Sequence, residues 1–198
     1  EMSEGRLFVL SVDELRRPLT QDQRQLVLKE VEASASVESV AIINSLPFQG
    51  QESSYGLSKT PDGDKLSVAF FYGTPTFIET IGARVTVGRS FTRDEFTSGD
   101  DPFVQAPSII LTRSLAKRLS VSVGQTVYVD GRQIPIVGII EDLLRPGLSS
   151  ISEAHYAALV PASPQTPGQM FLISRFREGF PASATRAAVE AATRATSS

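Results

Sequence analysis

The stretch Phe77-Ile78-Glu79-Thr80-Ile81-Gly82-Ala83-Arg84-Val85-Thr86-Val87-Gly88-Arg89-Ser90-Phe91 constrains this chain most, because it switches from helix to strand across one glycine. It reads as a short helix, a glycine stop, a strand and a sharp turn. Phe77, Ile78 and Ile81 share one helical face. Thr74 can accept from the first free helical N–H groups, and Pro75 suits the first helical position. Gly82 can take the left-handed conformation that closes the helix.

The chain around this segment, over residues 68–142, is organised by similar punctuation. Ser108-Ile109-Ile110-Leu111 reads as a buried strand that runs through Thr112 into a helix carrying Leu115, Ala116 and Leu119 at helical spacing. Gly124 then breaks the chain. Residues 126–129 and 133–140 flank Asp130-Gly131, the dipeptide that a two-residue hairpin turn prefers because both positions need positive φ.

This order of elements resembles the MacB-like periplasmic core domain of FtsX-type ABC transporter permeases. The features that carry the resemblance are an aromatic helix ending at Gly82, the Gly88-Arg89-Ser90-Phe91 turn, and a strand leading into Leu115-Ala116-Lys117-Arg118-Leu119. Gly124-Gln125-Thr126 then opens a hairpin, and Val137-Gly138-Ile139 closes it. One departure stands out, since Ser120-Val121-Ser122-Val123 occupies the place where the family often has a proline and a leucine.

The resemblance implies an α+β fold of two lobes. A porter-like lobe of strand-helix-strand units would take residues 1–72 and 153–198, and a sabre-like mixed lobe, residues 73–152, would be inserted into it. It also implies a place on the periplasmic, extracytoplasmic face of the bacterial inner membrane, between transmembrane helices of one permease, with an ABC ATPase as partner. A periplasmic partner protein, a peptide or a small-molecule substrate would be recognised there, and a dimer would form only in the full transporter.

Composition sets the outer limits. A chain of 198 residues with 41% hydrophobic and 21% charged residues can bury a real core. A net charge of -3, from 19 basic and 22 acidic residues, leaves no electrostatic footprint for nucleic acid. The absence of cysteine excludes disulfides, thiolate metal sites and cysteine nucleophiles. The longest apolar run, residues 134–140, is far short of the ~20 residues a membrane helix needs. The start Glu1-Met2-Ser3, without a signal-like segment, reads as an excised fragment.

Outside the central stretch, residues 6–12 read as a first strand. Thr20 and Gln23 have capping-box spacing and open a helix with Val27, Val31 and Ala35 on one side. Residues 37–43 are apolar on both faces, which predicts a strand interior to a sheet. Tyr55 and Leu57 form an extended island, and residues 65–72 resume strand character. Residues 156–160 and 170–176 read as two further strands, and residues 181–196 as an alanine-rich helix with Ala184, Ala188, Val189 and Ala191 in register.

The search for chemistry returns little. His155 is the sole histidine, so a multi-histidine metal site is excluded within one chain, and no G-x-S-x-G elbow is present to partner it. Glu141 and Asp142 are adjacent at a strand end and point to opposite sides, a poor arrangement for a general acid and base. Asp94, Glu95, Asp100 and Asp101 cluster in the 92–107 loop without EF-hand spacing, which reads as a solvated loop. No glycine-rich phosphate loop follows a strand. Catalytic, cofactor and metal residues are therefore expected to be none.

Partner contact is the remaining role. Arg89 is either a turn residue that satisfies nearby backbone carbonyls, the favoured reading, or a cation that reaches a carboxylate or a partner. Phe103, in the long loop, is expected to be an exposed contact, with Asp100 and Asp101 close by in sequence. The resulting function is a non-enzymatic module that couples ATP-driven motion to recognition and export. An extracytoplasmic ligand-sensing domain of a membrane signalling protein is the alternative, and a hydrolase the weakest third.

Overall fold

The computed structural model describes residues 6–11, 19–47, 52–98, 103, 106–146, 153–164 and 170–196. In chain order the elements begin with β1 (Leu7–Ser11), α1 (Gln21–Glu32), β2 (Val37–Ile43), β3 (Ser54–Ser58), β4 (Leu66–Tyr72), α2 (Phe77–Ile81) and β5 (Val85–Gly88). There follow β6 (Thr97–Ser98), β7 (Ile109–Thr112), α3 (Arg113–Leu119), β8 (Thr126–Val129) and β9 (Arg132–Ile140). The last are β10 (Ala157–Val160), β11 (Ala162–Ser163), β12 (Phe171–Phe176) and α4 (Ala182–Thr196).

The long strand β9 decides the architecture. Its first half pairs antiparallel with β8 across the Asp130-Gly131 turn, and its second half pairs parallel with β7. Both turn residues have positive φ, 47° and 84°, as a tight hairpin of this kind needs. Because β8 also pairs with β3, the order β9-β7-β10-β4-β3-β8 returns to β9 and closes a ring. Strand β5 is appended to β9 outside the ring. Closure removes the open edges that a sheet of this size otherwise exposes.

Strand alternation sorts the ring's side chains. Val68 and Phe70 of β4, Ile109 and Leu111 of β7, and Ala158 and Val160 of β10 belong to one cluster, which also holds Ile134, Ile136 and Leu115. Their neighbours Ala69, Phe71, Ile110, Ala157 and Leu159 belong to a second cluster on the other face. That second cluster also contains Phe77, Ile78 and Ile81 of α2, together with Ala41, Ile43 and Ile173.

Ala41, Ile43 and Ile173 come from a separate three-stranded antiparallel sheet ordered β1-β12-β2. Its opposite face carries Val40, Ile42 and Leu172 against Val27 and Val31 of α1 and Val189 and Ala192 of α4. Helix α1 begins at the expected capping box: Thr20 Oγ1 accepts from Gln23 N–H, and Gln23 Oε1 accepts from Thr20 N–H. The mixed α+β class expected from sequence is what the chain forms.

Several local expectations change. Ala35 lies beyond α1, which ends at Glu32. Strand β2 is buried on both faces but stands at a sheet edge, because helices cover one face and α2 with the ring cover the other. The proposed division into 1–72 with 153–198 and 73–152 does not follow the sheets. Strands β3, β4 and β10 belong to the ring, so the break at Gly73 separates elements that hydrogen bonding joins. In α4 the buried face carries Thr185, Val189, Ala192, Thr193 and Thr196 rather than Ala191. The threonines can be buried because Thr193 and Thr196 donate back to the carbonyls of Val189 and Ala192.

Candidate functional site

Of the residues singled out for contact, Arg89 directly follows β5. Gly88 has φ 79°, and a Cβ there would meet Val137 O at 2.3 Å, so the chain can turn this close to β9 only at glycine. Gly138 repeats the condition from the other side, since its Cβ would meet Arg89 O at 2.4 Å. Arg89 N–H then donates to Val137 O at 3.0 Å, which fixes the turn on β9.

From this turn the Arg89 guanidinium donates to Glu95 Oε2 at 2.6 Å and Oε1 at 2.9 Å, and to Ser90 O at 2.9 Å. The favoured turn role and the carboxylate pair are thus both present. The Glu95 carboxylate also accepts from Thr92 N–H at 2.7 Å. Arg89 is the main cause, and the Thr92 N–H a further one, that hold the Glu95 carboxyl well below the usual range, at about 2. The same pair raises the Arg89 guanidinium above its ordinary value. Phe91 and Phe96 meet edge to face at 5.9 Å, and Phe96 meets Phe77 of α2 at 6.4 Å, so the start of the loop is packed onto the fold.

Phe103 is not the exposed contact that the sequence suggests. Its ring is 5% exposed and lies 4.3 Å from Tyr55 and 4.8 Å from Phe70, within the cluster that fills the ring of strands. The polar composition of its loop concealed this, because one aromatic anchor suffices to seat a loop on a core. Asp100 and Asp101 lie outside the described residues.

Other polar residues organise the structure without assembling a reactive constellation. Asp142, exposed just past the end of β9, accepts from Ser114 N–H at 2.8 Å and from Ser114 Oγ at 2.6 Å, and so satisfies the start of α3. His155 contributes its carbonyl to Thr112 Oγ1, whereas its ring Nδ1 is buried with no hydrogen-bond partner among the described residues. Arg145 is 3% exposed, donates to both Glu52 carboxylate oxygens, and reaches Ser67 O at 3.0 Å. Sequence reasoning missed it, and the one available signal was an arginine placed directly before Pro146.

A narrow cleft of about 70 Å³ opens beside α1, lined by Gln21, Arg24, Gln25, Leu28, Ile42 and Thr74 with Ser163 and Pro164. Arg24 donates there to Pro164 O and to Met170 Sδ, and burial lowers its pKa. The cleft is well below the roughly 300 Å³ at which small-molecule sites begin. Among the described residues no group of three or more His, Cys, Asp or Glu is placed to hold a metal ion, and no helix is long and apolar enough to cross a membrane. The geometry offers packed surfaces and, at Arg89 to Phe96, a turn held on the fold.

A family model described as MacB-like periplasmic core domain matches residues 1–195. Among solved structures, the periplasmic region of MacB from Actinobacillus actinomycetemcomitans is similar at 13% identity with a TM-score of 0.62, over 98% of this chain and 85% of that one. The extracellular domain of the noncanonic ABC-type transporter YknZ from Gram-positive bacteria is similar at 15% identity with a TM-score of 0.56, over 92% of this chain and 86% of that one. At such identities the likeness speaks for the fold. No curated protein matches the chain.

Proposed function

The chain belongs to the family of MacB-like periplasmic core domains, and from that membership we propose that it is the extracytoplasmic domain of an ABC transporter permease. In this reading it couples ATP-driven motion of the membrane helices to recognition and export of a substrate or partner protein. The observation that carries the reading is the family match across residues 1–195, which spans both the ring and the three-stranded sheet. The apolar cluster shared by the two sheets supports it, since a module that transmits motion must not come apart between its halves.

The partners follow from this reading. They are the membrane helices of the same permease, an ABC ATPase that hydrolyses ATP in a separate domain or subunit, and a periplasmic protein, peptide or small molecule. The domain itself is non-catalytic, works on the periplasmic side of the cell membrane, and dimerises in the complete transporter. The 92–107 loop with Asp100 and Asp101 is the contact surface in this reading, and the half-exposed Arg89 ties Glu95, near its start, to the turn after β5.

The test has two parts. Apolar segments of spanning length in the native sequence beside Glu1 and Ser198, one before and three after, are expected; their absence overturns the permease reading. Transport by the complete permease carrying Asp100→Lys and Asp101→Lys is expected to fall at unchanged membrane level. Unaltered transport removes the contact role of the loop.

A further inference from the structure

Strand β2 ends the three-stranded sheet, yet its outer edge is paired. Thr74 N–H donates to Ile42 O at 2.9 Å, and Ile42 N–H donates to Thr74 Oγ1 at 3.0 Å. One step along, Asn44 N–H donates to Tyr72 O at 3.0 Å, and Tyr72 N–H donates to Asn44 Oδ1 at 2.8 Å. The Asn44 amide also donates through Nδ2 to Phe70 O at 3.0 Å, and Thr76 Oγ1 donates to Val40 O. Residues 72–74 close this tightly because position 73 is glycine: a Cβ there would sit 2.6 Å from Ile42 O.

This seam joins β2 to the end of β4, which belongs to the ring. Asn44 is 2% exposed, so its amide was taken from water and given partners on β4, the Tyr72 N–H and Phe70 O. Opening the seam leaves those groups unsatisfied until water reaches them. It also divides the apolar cluster that sets Ala41, Ile43 and Ile173 against Phe71, Phe77 and Leu159. A separate tie lies on the central strand, where Arg175 of β12 donates through Nε and Nη2 to Thr80 O of α2.

We propose that the seam centred on Asn44, Tyr72 and Thr74 is a latch that makes the three-stranded sheet and the ring one cooperative unit, so that displacement of either sheet carries the other with it. Its use in transport rests on the coupling reading above; its existence does not.

Two amides report on the latch directly, because Ile42 N–H and Tyr72 N–H are each held by a side-chain oxygen from across the seam. Residue-resolved hydrogen exchange of this chain in rising urea is expected to show both exchanging in the same opening as Ala69 N–H, which lies within the ring and donates to Tyr156 O. Agreement within about threefold is expected, since a single cooperative unit opens with a single free energy. Exchange of Ile42 and Tyr72 about a hundredfold faster than the amides of both sheets makes the seam a hinge and overturns the proposal.

Asn44→Ala, or the shape-preserving Thr74→Val if the first does not fold, is expected to split exchange into two tiers, with β12 opening ahead of Ala69. A single undivided tier in the variant also overturns the latch. The same variant in the complete permease separates the two readings. Split exchange with lowered transport supports both, and split exchange with unchanged transport keeps the latch and removes the coupling role.

Discussion

Arg175 lies directly over Gly82: a Cβ at position 82 would stand 2.5 Å from Arg175 Nη2. The guanidinium is there because it donates to Thr80 O, one of the carbonyls left without an intrahelical partner at the end of α2. Burial, followed by nearby Arg6, pushes the Arg175 pKa down, while Glu38 and Glu79 oppose the shift. Gly82 thus meets two demands together, a φ of 77° and room for a buried cation.

Gly82→Val should therefore cost more than the left-handed conformation alone, which is about 1–2 kcal/mol for a side chain. The melting temperature is expected to fall by more than about 4 °C, given roughly 2–4 °C per kcal/mol at this size. Exposed Glu30 in α1 provides the control, and Glu30→Gln should stay near wild type. Equal melting of the two variants would show that neither the helix end nor Arg175 constrains position 82.

Phe103→Ala should behave as a core truncation, because the ring is buried against Tyr55 and Phe70. A loss of about 3–5 kcal/mol in chemical denaturation is expected. Stability within about 0.5 kcal/mol of wild type, the range of an ordinary surface change, would return Phe103 to the role of an exposed contact.

The sequence displayed what local chemistry determines. Thr20 and Gln23 cap α1, Asp130-Gly131 turns the hairpin, and Gly82 ends α2 because each needs only near neighbours. Distant partners were out of reach. Thr74 has the chemistry of an N-cap, but the cap position belongs to Thr76, and the Thr74 hydroxyl serves Ile42 on another sheet. Closure of the ring depends on β3 meeting β8, and Arg145 finds Glu52 across 93 residues; periodicity carries neither. In the candidate site, the Arg89 turn was legible from its glycine, whereas the burial of Phe103 depended on a core that the sequence does not locate.

Glu95 gives a pH signature with a definite sign. Its pKa in the folded protein, about 2, lies below the ordinary carboxyl value of 4.5, so its ionised form favours the fold. That contribution is complete above the unfolded value and is lost as the pH falls from about 4.5 through about 2. Because Arg89 is half exposed, the effect on stability should shrink with added salt. A carboxyl carbon titration by NMR should place the Glu95 midpoint near 2, and Arg89→Gln should move it toward the ordinary carboxylate range. A midpoint that Arg89→Gln leaves in place would show that the guanidinium is not its cause.

Thr112 and His155 should respond in opposite ways to substitution, although they touch. The Thr112 hydroxyl is fully buried, accepts from Ala157 N–H at 3.3 Å, and has His155 O at 2.6 Å and Ala157 O at 3.0 Å as acceptors for its single proton. It therefore fastens the entry of β10 to β7 through backbone groups. Thr112→Val keeps the shape and removes the hydroxyl's hydrogen bonds while the Ala157 N–H keeps His155 O at 3.0 Å, at a cost of about 1 kcal/mol. His155 joins this contact only through its carbonyl, which every residue possesses, and its buried Nδ1 has no hydrogen-bond partner among the described residues. His155→Leu should therefore lie within about 0.5 kcal/mol of wild type, and transport by the complete permease should tolerate His155→Ala. Urea denaturation of the two single variants decides the ranking. If His155→Leu proves the more damaging, the imidazole has a partner that this geometry does not show; transport lost in a well-folded His155→Ala would place that partner in the working cycle.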